Sequence, residues 1–215
     1  MMNKKMFIKP INELIRIEDP VIVIRFDDTI TYREFALNID ENIIFSIDDI
    51  PVNYQTKTLV ITNPLEVELN DKKTLTILYK KLAYRVNETI QKKIIHIEQE
   101  IFDLIETISY ESSYDLEYVD SFDLVKVLQM YQVTLQEVKK SNYLEFILTY
   151  IKTNCELNHY SIVISFGLTL LLKEEELKIL KNELAIYQIS IVDFYLNNNN
   201  PTIDYLTIDN DWNKL

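Results

Sequence analysis

Two hydrophobic rhythms alternate along this 215-residue chain. Val21 to Phe26 (VIVIRF) and Thr58 to Thr62 (TLVIT) are short β-branched runs, apolar at nearly every position. Such runs suit strands buried on both faces, in a sheet covered by helices. Asp27-Asp28 closes the first run, and Thr31 to Asn38 then reads as a short helix. Asn63-Pro64 closes the second run, and residues 1–62 as a whole read as strands with turns.

From Lys73 the period becomes helical, with Leu75, Leu78, Leu82 and Val86 in step. Asn87 suits the cap of a second helix. In that helix Ile90, Ile94, Ile97, Ile101, Leu104 and Ile108 are spaced 4-3-4-3-4, an a/d seam. Ile95, Phe102 and Ile105 widen its apolar face. A stripe of that length must be buried against other helices, and two are available. One covers Phe122 to Met130; the other covers Asn142 to Asn154, with Leu144, Ile147, Leu148 and Ile151 on one face. The pattern predicts an elongated helical bundle over residues 65–155; a long core helix inside one globule is the alternative.

The strand rhythm then returns. Tyr160 to Ser165 (YSIVIS) reads as a strand, Lys173 to Ala185 as a helix with Leu177, Leu180 and Leu184 inward, and Gln188 to Asp193 (QISIVD) as a strand. Strand, helix, strand within about 35 residues is a βαβ unit with parallel pairing. The expected architecture is therefore α/β. A discontinuous head comprises residues 1–64 and 156–215, and a helical leg, residues 65–155, is inserted between its parts. Asn197 to Asn200 before Pro201 predicts a surface loop.

Composition narrows the class. No apolar run approaches the 18 or more residues of a membrane span, and Met1 to Pro10 lacks the apolar core of a signal peptide. One cysteine, Cys155, excludes an intrachain disulfide framework and fits a reducing cytoplasm. It reads as a small buried hydrophobe rather than a nucleophile. The net charge of −12 argues on its face against nucleic acid. Binding depends, however, on where charges sit rather than on their sum.

The only glycine, Gly167, falls between a β-branched run and a charged helix, where a nucleotide-binding protein places its phosphate loop. The surrounding residues oppose that use. There is no GxxxxGK[ST] pattern, Leu170-Leu171-Leu172 replaces polar groups, and Glu174-Glu175-Glu176 would repel a phosphate. Those acids suit a helix N-terminus, and Gly167 suits a turn of positive φ or tight packing. No nucleotide-binding residue is therefore assigned. His96 and His159 have no Cys or His at metal-ligand spacing, and no GxSxG loop exists, so no catalytic residue is assigned either.

Two features carry candidate chemistry. In residues 110–123 (YESSYDLEYVDSFD), Glu111, Asp115, Glu117, Asp120 and Asp123 lie within 13 residues. Closely spaced carboxylates suit a hard cation such as Ca²⁺, which takes six to eight oxygens. The spacing is not that of an EF-hand, and a solvated turn with Asp120 or Ser121 capping the next helix is the plainer reading. The second feature is a set of lysine doublets: Lys4-Lys5, Lys72-Lys73, Lys80-Lys81, Lys92-Lys93 and Lys139-Lys140. Several on one surface would make a positive stripe in an acidic protein.

The ordered set of segments resembles the type II-A CRISPR-associated adaptation proteins, the Csn-two family. VIVIRFDDTITYREF matches its N-terminal strand-helix pair, and YDLEYVDSFDLVKVLQMYQVTLQ its acidic turn and following elements. SIVISFGLTLLLKEEEL and YLTIDNDW match its later strand-helix segment and its acidic-aromatic close. Tyr131-Gln132 stands where relatives have a glycine, and one residue is inserted near Val119. The resemblance implies a head similar to a P-loop ATPase core without its phosphate-binding motif. It implies an inserted helical leg and a homotetrameric ring that takes ends of double-stranded DNA through its hole, independently of sequence. It also implies Ca²⁺ dependence, no catalysis, and work with the CRISPR integrase complex and the RNA-guided nuclease. DNA contacts are then expected first at Lys139 and Lys140, next at Lys92 and Lys93, then at Lys72 and Lys73. A degenerate ATPase-like scaffold that binds only protein partners is the alternative.

Overall fold

The run Val21–Phe26 forms a strand whose alternate side chains enter two different cores, the arrangement that its continuous hydrophobicity requires. The computed structural model describes residues 3–114, 116–118, 121–196 and 206–214. It divides the chain into a first unit, Met1–Leu69 with Glu137–Leu215, and a second, Asn70–Gln136. The first unit begins with β1 (Lys4–Ile8), β2 (Glu13–Arg16), β3 (Val21–Phe26), α1 (Thr29–Leu37) and α2 (Ile39–Asn42). It continues through β4 (Ile43–Ile47), β5 (Ile50–Val52), α3 (Tyr54–Lys57) and β6 (Thr58–Ile61). The second unit supplies α4 (Lys72–Tyr84), α5 (Glu88–Glu111) and α6 (Leu124–Met130). The first then resumes with α7 (Tyr143–Asn158), β7 (Ile162–Phe166), α8 (Glu174–Ile186), β8 (Ser190–Leu196) and β9 (Leu206–Ile208).

A five-stranded parallel sheet, ordered β6-β7-β8-β3-β9, runs through the first unit. On one face Ile22, Ile24, Phe26, Ile162, Ile164, Val192 and Phe194 meet Phe35 of α1 and the core side of an antiparallel sheet ordered β2-β1-β4-β5. Phe35 lies 4.9 Å from Phe194 and 5.0 Å from Phe26, ring centre to ring centre. On the other face Val21, Val23, Val163 and Ile191 pack against Ile147 and Ile151 of α7 and Leu177, Leu180 and Leu184 of α8. Each such side chain contributes roughly 1.5–3 kcal/mol by leaving water. The β7–α8–β8 segment is the expected βαβ unit, with β7 and β8 adjacent and parallel.

Two assignments from sequence are corrected. The helix expected over Asn142 to Asn154 forms, but it is α7 of the first unit, with Ile147 and Ile151 fully buried there. The second unit thus spans residues 70–136 rather than 65–155. Helical periodicity shows that a face is buried and does not name its partner. The doublet Lys4-Lys5 is not a surface pair either. Lys4 is buried, and its Nζ donates to Ser161 O at 2.9 Å, Gln188 O at 2.6 Å and Ser190 Oγ at 3.1 Å.

In the second unit the caps are local. Asp71 accepts from the backbone N–H groups of Lys73 and Thr74, and Asn87 accepts from that of Ile90. Asn70 and Leu135 exchange two hydrogen bonds, 3.0 and 2.9 Å, which tie the unit's entry and exit together. At 24 residues, α5 is about 36 Å long. One side of it is covered, where Phe102 stacks on Tyr118 and Glu98 accepts from Phe122 N. The expectation that its seam is buried against other helices fails among the described residues, because no residue of α5 is buried. Ile90, Ile97, Ile101, Leu104 and Ile108 are all between 40% and 59% exposed.

Candidate nucleic-acid interface

The loop after β7 is closed from within. Gly167 has φ +76, so the turn does use its positive-φ freedom, and its N–H is taken by Phe194 O at 3.0 Å. The next two N–H groups, of Leu168 and Thr169, donate to the carboxylate of Asp193 at 3.0 and 2.8 Å. Ser165 Oγ and Thr169 Oγ1 donate to the same carboxylate at 2.6 and 2.5 Å. A phosphate loop needs such donors free and converging on an anion. Here the anion is a side chain of the protein itself. Asp193 is fully buried; burial pushes its carboxyl above the ordinary range, and the donors from Ser165, Thr169 and Leu168 pull against that shift. At the start of α8, Lys173 N donates to Glu176, so this N-terminus too is satisfied locally. Sequence reasoning found Gly167 and missed Asp193. Its signal was an acid placed inside an otherwise β-branched buried strand.

All six lysines expected to contact DNA are exposed. Lys72 and Lys73 form the first turn of α4, and Lys92 and Lys93 follow early in α5. Lys139 and Lys140 precede α7 and belong to the first unit, with Lys140 Nζ 5.3 Å from the ring centre of Phe146. The structure therefore distributes the six over two units, four in the second and two in the first.

The acidic segment is only partly described: Asp115 and Asp120 lie outside the described residues, as does the insertion near Val119. Glu111 ends α5 and Glu117 is exposed. Asp123, rather than Asp120 or Ser121, caps α6, accepting from Val125 N at 3.0 Å and Lys126 N at 3.3 Å. Among the described residues no group of three or more His, Cys, Asp or Glu side chains is assembled that could hold a metal ion. The described acids do not by themselves provide the oxygen set that Ca²⁺ requires. The loop expected at Asn197 to Asn200 also falls outside the described residues. No helix among them is long and apolar enough to cross a membrane.

Fold and surface together define a mixed α/β protein with a parallel sheet and a separate helical unit that bears most of the candidate lysines. The sequence matches the family model described as CRISPR-associated protein (Cas_Csn2) over residues 24–212, and the chain belongs to this family. Membership implies a role in CRISPR adaptation. No curated protein matches the sequence. Among solved structures, the chain is similar to the ATP-binding cassette of an ABC transporter in its ADP conformation. That likeness has a TM-score of 0.46 and 6% identity, and it covers 100% of this chain and 90% of that one.

Proposed function

We propose that the protein is a non-catalytic component of CRISPR adaptation that binds ends of double-stranded DNA without reading their sequence. In this reading it acts in the cytoplasm as a homotetrameric ring, alongside the CRISPR integrase complex and the RNA-guided nuclease. Its first unit is a P-loop-ATPase-like head that has lost its phosphate-binding motif, consistent with loop donors turned onto Asp193. The observation that carries the reading is the exposure of all six candidate lysines in a chain of net charge −12. Their ammonium groups supply a sequence-independent attraction to phosphates, while acids elsewhere repel indiscriminate contact. Calcium enters through the resemblance and through the carboxylates of residues 110–123.

The test is topological. Gel shifts compare linear duplex, duplex blocked at both ends and covalently closed circles, each with and without Ca²⁺. A ring reaches duplex only by threading an end, so only the first should be retained, and more tightly with Ca²⁺. Equal retention of end-blocked DNA removes the ring mechanism. Failure to retain any DNA at low salt returns the protein-only scaffold. Equal binding after chelation removes the ion.

A further inference from the structure

Charge in the second unit is sorted along the chain. From Lys72 to Asn87 there are five basic residues and no acid; from Ile94 to Asp123 there are nine acids and no Lys or Arg. Helix ends explain part of this sorting. The N-terminus of a helix favours acids and its C-terminus bases, and Asp71 capping α4, Lys81 in its last turn and Glu88 in the first turn of α5 follow that rule. Lys72 and Lys73 in the first turn of α4 and Glu111 at the end of α5 do not. Lys5, Lys126, Lys152, Lys178 and Lys214 each face an acid within 4.0 Å. Lys72, Lys73, Lys80, Lys92 and Lys93 have no such partner among the described residues. Exposed cations with no acid beside them are available to an anionic partner.

On α4, Lys73, Lys80 and Tyr84 stand at i, i+7 and i+11, one line along the helix. Lys73 and Lys80 are exposed, and Tyr84 is 92% exposed at the helix's last position. A duplex end differs from duplex interior in presenting a base pair with one bare face. A tyrosine ring offers that face a stacking partner in a way that tolerates any base. We infer that this line is the contact to the DNA end: Lys73 and Lys80 lie along the phosphate backbone, and Tyr84 stacks on the terminal base pair. The inference rests on the DNA-end reading above and adds Lys80 and Tyr84 to it.

The experiment uses full-length protein and blunt duplexes carrying 2-aminopurine at either the terminal or a central position. Wild type should change the fluorescence of the terminal probe and leave the central one unchanged. Tyr84→Phe should behave as wild type. Tyr84→Ala should lose the terminal signal and about tenfold in affinity. Lys80→Ala should keep the signal and lower the slope of log affinity against log salt by about 0.9, while Lys178→Ala should leave that slope unchanged. If wild type binds and Tyr84→Ala keeps both signal and affinity, stacking is wrong. An unchanged slope for Lys80→Ala removes that residue from the contact. If wild type binds no DNA, the end-binding reading itself fails.

Discussion

Lys4 and Cys155 give the core two opposed responses to pH. Burial lowers the Lys4 ammonium from 10.5 to about 8, with the nearby Cys155 opposing the shift. Burial raises the Cys155 thiol from 9.0 to about 12, with Lys4 opposing that. Between about 8 and 10.5 the unfolded chain holds the Lys4 proton that the folded chain has released, so stability rises with pH. Between about 9 and 12 the folded chain keeps the Cys155 proton that the unfolded chain loses, so stability falls. Burial likewise raises the Tyr143 phenol from 10.0 to about 12, so it too favours the unfolded chain as pH passes 10. Urea melts from pH 7 to 11 should therefore show a rise from about 8, a plateau from about 9, and a fall above about 10. Each group contributes at most about 1.4 kcal/mol per pH unit. In Cys155→Ala the rise should continue to about 10. A variant that plateaus at the same pH as wild type would contradict the assignment. These two residues also show where sequence reading stops. Cys155 was legible as a buried hydrophobe because its type predisposes it to burial. Lys4 was not, because three oxygens that the sequence places far from it satisfy its ammonium. Gln132 has a φ of +47, the left-handed conformation that favours glycine.

At the scale of elements, period was a better guide than partnership. The strands β3, β6, β7 and β8 and the helices α4, α5 and α8 lie where β-branched runs and heptads put them. The antiparallel sheet β2-β1-β4-β5 was not resolved strand by strand, because its short strands carry mixed patterns such as Glu13–Arg16. The partner of α7 was misjudged for the reason already given, and among the described residues the seam of α5 is left exposed on the side away from Tyr118 and Phe122. That last fact has a consequence. Water-exposed Ile97 and Ile101 cost solvation that a packed assembly would relieve. If the proposed homotetramer forms on this stripe, Ile97→Asp with Ile101→Asp should lower the mass found by light scattering. Helical circular dichroism should stay near that of wild type, because neither side chain is buried within its own chain. An unchanged mass would exclude the stripe from the assembly interface.

For the whole molecule, the net charge of −12 and a DNA-binding role are compatible only if binding follows local rather than summed charge. Counterion release depends on the number of phosphates neutralised at the contact, so it reads the contacting cations alone. Exposed acids well removed from the contact are screened beyond about 8–10 Å at physiological salt. Glu174→Gln with Glu175→Gln raises the net charge by two on exposed positions of α8, in the first unit. Lys72→Ala with Lys73→Ala lowers it by two on α4, in the second. Were summed charge in control, the two changes would shift DNA affinity by similar amounts in opposite directions. Under local control the glutamate pair should leave the salt slope unchanged, and the lysine pair should reduce it by about 0.9 for each lost contact. Fluorescence anisotropy of a labelled linear duplex, titrated from 50 to about 200 mM salt, separates the two cases. A glutamate double variant whose slope moves as far as that of the lysine double variant would show that the acidic surface, and not a lysine contact, sets the affinity.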